Sequence, residues 1–210
     1  REGTDAFFSD EGGLNFLPAF LGGGDNGLLH GDLGNSLDTA RPVWDMIWER
    51  LPATLVLAGA ALIIWVGTAI VLGVFAAVRR YSVYDQTLTF ITYIMYSLPT
   101  FWLGLMLIFL MGPALHLLPT GGVVSARDWP AFGSPQFWAA AGDRPFDAIY
   151  DMGRHLILPV FTLVVVNIAA DSRFVRASML ETLSADFVRT ARAKGLSARR
   201  VIGRHAFRNA

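Results

Sequence analysis

The sequence predicts an all-α integral membrane protein, and three observations lead there. The chain is 53% hydrophobic and 16% charged, with a mean hydropathy of +0.45, richer in apolar and poorer in charged residues than an ordinary soluble domain. Its charges are confined to a few segments, which leaves Leu51 to Val78, Gln86 to Ala126 and His155 to Ala170 uncharged. Nine of the seventeen basic residues fall in the last forty positions, directly behind the final apolar run, which is how a membrane protein marks its cytoplasmic side.

The elements follow in order. Residues 1–50 are polar, Gly-rich and acidic, with breakers at Gly12-Gly13 and Gly22-Gly23-Gly24, and read as an extramembrane loop with little regular structure. Near 42–51 an amphipathic helix is expected: Pro42 suits a first helical turn, and Val43, Trp44, Ile47, Trp48 and Leu51 form one stripe. Trp44 and Trp48 suit the membrane–water boundary. The 28 uncharged residues Leu51 to Val78 exceed the roughly 20 that cross a bilayer, so a membrane helix is expected over about 52–78. Arg79 and Arg80 stop it.

The next uncharged run is too long for one helix. Gly112-Pro113 divides it, giving a second crossing at about 87–111. Tyr93, Tyr96, Ser97, Pro99 and Trp102 put a polar, kinkable stripe in its middle. Such a stripe more often serves helix packing; the functional reading is a substrate path, with Tyr93, Tyr96 and Ser97 on this helix and Asn167 on the next. Residues 112–154 form a loop of turns and scattered charges. A third crossing is expected at about 155–175, its uncharged part only 16 residues long and holding Pro159.

With three crossings, residues 1–50 share a side with 112–154, and Arg79-Arg80 share the other with the tail. The first 52 residues carry a net charge of −6 and the last forty +6, so the tail, 176–210, is expected on the cytoplasmic side and the acidic segment outside. Within the tail, Leu180, Leu183, Phe187 and Ala191 recur at helical spacing from Ser172 to Lys194. Gly195 can close that helix in the left-handed conformation, and Ser197 can cap a second one over about Ala198 to Phe207 through its side chain. There Val201, Ile202 and Ala206 lie to one side, and Arg200, Arg204 and Arg208 follow at i, i+4 and i+8.

The run Asp186-Phe-Val-Arg-Thr-Ala-Arg-Ala-Lys-Gly-Leu-Ser197, followed by Arg204-His-Ala-Phe-Arg-Asn209, resembles the cytoplasmic "EAA" loop of ABC importer permeases of the dipeptide and oligopeptide branch. Ala191 matches the second Ala of that motif and Gly195 its Gly; Arg189 and Thr190 stand where the wider family has Glu and Ala. Three other segments resemble the same branch: His30-Gly-Asp-Leu-Gly-Asn-Ser-Leu37, Ser97-Leu-Pro-Thr-Phe-Trp-Leu-Gly104 and Leu118-Pro-Thr-Gly-Gly122. Against the six-helix family pattern the chain lacks the first helix and the last two. Together with Arg1 in place of a start methionine and an end inside the motif, this gives the expectation of a fragment of a longer protein.

The resemblance implies a polytopic helical bundle of the type I ABC importer permease kind, three of whose membrane helices are present here. It also implies a coupling helix that sits in a groove of a separate ATPase subunit. Phe187, Ala191, Gly195, Leu196, Val201 and Ile202 are the docking candidates, with Arg192, Lys194 and Arg199 as charge partners. The implied partners are ATP-binding subunits, a second permease subunit in a heterodimer and an extracytoplasmic solute-binding protein. The implied substrates are dipeptides or oligopeptides, and the implied location is the inner membrane of a bacterium or archaeon.

Other chemistries find little support. No Gly-x-x-x-x-Gly-Lys-Ser/Thr run exists for binding ATP, and no enzyme activity is expected. The chain has no Cys, and His30, His116, His155 and His205 lie far apart, so neither a metal nor a cofactor is expected. Phe187 and Phe207 are too few for base stacking, which argues against nucleic acid. The competing reading is a membrane scaffold whose basic tail recruits a soluble partner or anionic lipid.

Overall fold

A computed structural model describes residues 31, 33–36 and 38–210. The expectations for residues 1–30 and for His30, Asp32 and Leu37 lie outside the described residues. The chain divides into two compact units, Arg1–Thr54 and Leu55–Ala210. Among the described residues there is no strand, only a bridge between Asn35 and Pro42.

In the first unit the backbone turns back on itself before the first helix. Ser36 N–H donates to Arg41 O and Val43 N–H to Gly34 O, which satisfies backbone groups that no helix pairs. Helix α1 spans Val43–Val78 with Pro52 inside it. The amphipathic segment and the first crossing, expected as two elements, are therefore one helix. Pro52 lies only about three turns from the start, where losing one N–H bond and accommodating the ring is tolerated by the long apolar run behind it. Arg41 pairs with Glu49, and the rings of Trp44 and Trp48 meet edge to face at 5.7 Å.

In the second unit, α1 from residue 55 packs on α5 (Pro145–Ser184, 40 residues). Small residues set how close they come. Ala61, Ala69, Ala76 and Ala77 are buried, and a Cβ placed on Gly73 would stand 2.7 Å from both Ser172 O and Val175 Cβ. The spacing Ala69-x-x-x-Gly73-x-x-x-Ala77 is the small-residue pattern that lets membrane helices approach.

The second crossing departs most from expectation. In place of one helix over 87–111 there are two, α2 (Val83–Ser97) and α3 (Thr100–Phe109), the latter running into a π-helical turn at Leu110–Ala114. The pair is bent by 90° at Leu98-Pro99. Pro99 forces the cause: the residue before a proline is driven out of the helical region, and Leu98 has ψ 128°. Gly112-Pro113 does not stop the helix at once but falls within the wide turn, and the chain leaves the helical region at His116, whose φ is +51°.

Among the described residues two helices, α1 and α5, are long and apolar enough to cross a membrane, and α2 with α3 makes a third crossing if the bent pair counts as one. Residues 112–154 are more ordered than a loop of turns. Ser134 caps α4 (Pro135–Asp143) by accepting from Phe137 N–H, with Pro135 in the first turn, and α5 begins at Pro145, ten residues before the expected third crossing. Val124, Trp129, Phe137 and Ala148 close a small core there. The Ser134-Pro135 pair was the available signal for this helix, and the reading of 112–154 as a loop did not use it.

Candidate functional site

The C-terminal segment begins with a break that no Pro or Gly announces. Helix α5 ends at Ser184, Ala185 is extended (ψ 149°), and α6 (Asp186–Ala193) starts in a new direction. The single helix expected from Ser172 to Lys194 is thus two. Past the break the inward position moves from Phe187 to Val188: Val188 is buried and Phe187 is 47% exposed, while Ala191 stays buried. Tertiary burial drives this, because Val188 and Ala191 then reach Met179 of α5 and Ala77 of α1.

Gly195 closes α6 as expected. Its φ is +76°, Gly195 N–H donates to Arg192 O and Leu196 N–H to Ala191 O, the paired bonds of a left-handed helix end with an apolar residue after the Gly. Leu196 packs on the same core. Ser197 holds the cap position of the next helix, but its side chain makes no capping bond; its carbonyl accepts from Arg200 and Val201 N–H instead. A short turn, α7 (Ala198–Arg200), continues through a π-helical stretch, Val201–Ala206, to a 3-10 turn at Phe207–Asn209. The wide turn brings both Val201 and Ala206 into the core.

The structure sorts the nine predicted docking residues into two sets. Ala191 and Val201 are buried and Leu196 and Ile202 half-buried in the core that holds this segment to α5, so burial removes Ala191 and Val201 as surface contacts. Phe187, Arg192, Lys194, Gly195 and Arg199 are exposed. Arg189 pairs loosely with Asp186 at 3.5 Å. Among the described residues, no carboxylate lies within ion-pair distance of Arg192, Lys194, Arg199, Arg200, Arg204 or Arg208. The result is a rigid knuckle with a packed apolar underside and a basic outer face.

The second place of interest is where α5 meets α1 and α2. Asp85, 3% exposed, accepts from Arg176 Nε at 2.5 Å and from its terminal nitrogen at 2.7 Å, and also from Tyr81 N–H at 2.9 Å. Trp65 Nε1 donates to Asp171 at 2.5 Å. Between these ties, the Arg173 guanidinium lies over the rings of Tyr93 and Tyr96, at 5.0 and 4.9 Å from their centroids. Ser97 donates to Tyr93 O at 2.8 Å, so three of the four predicted path residues sit on one exposed stretch of α2. Asn167 donates to Leu163 O of its own helix and is not brought to them. Sequence reading missed Arg173, Arg176 and Asp85 as partners; three charges within six residues at the end of an apolar run were the available signal.

A cavity of about 460 Å³ lies between α1, α3 and α5, lined by Leu57, Ile108, Leu158 and Thr162 and bordered by His155. His155 Nδ1 lies 2.8 Å from Asp151 O, and Asp151 accepts from Ser125 N–H at 2.7 Å, which ties α5 to the segment before α4.

Residues 69–210 match a family described as the inner membrane component of binding-protein-dependent transport systems. Over 193 residues the chain is 39% identical to the dipeptide transport system permease protein DppB of Escherichia coli K12, covering 88% of this chain and 56% of that protein. It is 37% identical over 184 residues to the oligopeptide transport system permease protein AppB of Bacillus subtilis 168, covering 87% and 53%. It is 39% identical over 185 residues to the di/tripeptide transport system permease protein DppB of Pseudomonas aeruginosa UCBPP-PA14, covering 87% and 55%. The chain spans about half the length of these curated relatives.

Proposed function

This chain belongs to the family of inner membrane components of binding-protein-dependent transport systems, and from that premise we propose that it is a permease subunit of an ATP-driven importer of dipeptides or oligopeptides. The observation that carries the reading is the knuckle of α6, Gly195 and α7: it is held to α5 by its own apolar core and turns Phe187, Arg192, Lys194, Gly195 and Arg199 outward. A separate ATPase subunit docks on that outer face. Ala191, Leu196, Val201 and Ile202 act from beneath, fixing the knuckle to α5 so that a push on it moves the membrane helix.

The physical logic is that of a lever. Closure of the ATPase pair displaces the knuckle, the packed core transmits the displacement to α5 and α1, and the membrane helices rock between outward and inward access. On this reading the knuckle is cytoplasmic and the membrane is the inner membrane of a bacterium or archaeon. A second permease subunit, in a heterodimer, completes the path, and an extracytoplasmic solute-binding protein delivers the peptide. The substrate class rests on what the relatives' names say of those proteins.

The test is uptake. The full-length permease, reconstituted in proteoliposomes with its partner permease, ATPase subunits and binding protein, is expected to accumulate a labelled dipeptide only when ATP is supplied. Accumulation that is independent of ATP, or that requires no ATPase subunit, overturns the reading.

A further inference from the structure

Three charges crowd the end of the apolar part of α5, and two of them are accounted for. Arg176 is paired with Asp85, and Asp171 is held by Trp65. Arg173 is different. Among the described residues no carboxylate lies within ion-pair distance of it. Its contacts are the faces of Tyr93 and Tyr96 and one hydrogen bond from Nε to Ala169 O at 2.8 Å.

A cation at the end of an apolar run has a low-cost escape: the side chain bends toward the nearer interface and leaves its charge among lipid headgroups. Arg173 does the opposite. Its bond to Ala169 O keeps the guanidinium on the side of the apolar run, away from Arg176. There the faces of the two rings flank it. Nε is occupied, so the terminal nitrogens are the donors left to present. Tyr93 and Tyr96 are more than half exposed within this chain, so the cation lies beside a surface that the chain's own described residues leave open. That surface is the stretch of α2 that carries Ser97 and ends at the 90° bend.

We propose that Arg173, framed by Tyr93 and Tyr96, receives the terminal carboxylate of a peptide during its passage. The inference rests on the peptide-importer reading and adds to it a chemical requirement: the passenger carries a free carboxylate. A planar guanidinium offers two parallel N–H groups to the two oxygens of a carboxylate, and the two ring faces lie against it. No covalent step is involved. The carboxylate binds and is released when the helices rock.

The chain has no Cys, so Ser97→Cys places a single reporter thiol in it beside the site. The full-length transporter carrying this change, with the rest of the permease and its partner subunits free of Cys, is assembled in zwitterionic nanodiscs without the binding protein. It is then labelled with a neutral thiol reagent in the presence of a dipeptide or the same dipeptide as its C-terminal amide. The free acid is expected to protect the thiol at concentrations about tenfold or more below those the amide needs, the worth of one hydrogen-bonded charge contact. Arg173→Gln removes that difference and Arg173→Lys retains part of it. Equal protection by acid and amide in the parent, or an undiminished difference in Arg173→Gln, overturns the carboxylate site while peptide protection itself leaves the importer reading standing. If added phosphatidylglycerol, and not the dipeptide, protects the thiol, the site belongs to lipid and the proposal fails. If neither peptide protects and the reconstituted transporter accumulates none, the importer reading falls, and with it the site. Thermal melting of each variant, compared with the parent, shows that the fold is intact.

Discussion

Arg176→Ala is expected to destabilise the protein by about 3–5 kcal/mol, the cost of leaving a buried charge without its partner. Asp85 has a side chain only 4% exposed, and Arg176 supplies two of the hydrogen bonds given to it. Tyr81 N–H supplies another and cannot neutralise the charge. The pair ties the start of α2 to α5, two elements far apart in sequence, so its loss should loosen the second crossing as well as lower the melting temperature in detergent. Adding Asp85→Asn to Arg176→Ala is expected to recover much of the loss, since a neutral amide costs less to bury than an unpaired carboxylate. A melting temperature for Arg176→Ala equal to that of the parent would show that the pair contributes nothing.

Gly73→Leu should have a comparable effect by a different route. Its Cβ alone would come within 2.7 Å of a backbone oxygen and of a β-branched side chain on α5, neither of which can swing aside, so the helices must separate. Overpacking of this kind costs about 1–3 kcal/mol and sometimes more. Gly73→Ala should already show part of it. Gly67 lies on the same helix with nothing within 4 Å of the added Cβ, so Gly67→Ala serves as the control and is expected to melt like the parent. Equal behaviour of the two alanine variants would contradict the close crossing of α1 and α5.

The all-helical class and the apolar character of α1 and α5 were legible because they depend on composition and on uncharged runs, 28 residues in α1 and 16 in α5, of which only the first is by itself long enough to cross a bilayer. Gly195 was legible for a local reason, since a left-handed helix end needs a residue without Cβ. What escaped the sequence was tertiary. Nothing local marks the break at Ala185: it exists because turning α6 back buries Val188 and Ala191 against Met179. Pro99 was visible as a possible kink, yet whether a proline bends a helix slightly or divides it by 90° depends on what its neighbours pack against. Arg173 and Arg176 looked alike on α5, and only the folded chain gives one a carboxylate and the other two aromatic rings. The docking candidates divide the same way. Spacing showed that Ala191 and Val201 share an apolar character with Phe187, and folding decided which of them face inward.

The proposed ATPase docking depends on the outer face of the knuckle. At Gly195 a Cβ would meet nothing within 4 Å of this chain, so a large side chain there is accommodated at the cost of the left-handed backbone, about 1–2 kcal/mol, while filling the space a partner would occupy. The decisive measurement is co-purification of the full-length permease with its ATPase subunits from detergent, comparing the parent with Gly195→Trp and with Gly195→Asn, which tolerates the left-handed turn. The parent is expected to retain the ATPase, Gly195→Asn to retain most of it, and Gly195→Trp to lose it while still inserting in the membrane. Equal retention by the parent and Gly195→Trp would place docking elsewhere and contradict an ATPase seat on the knuckle.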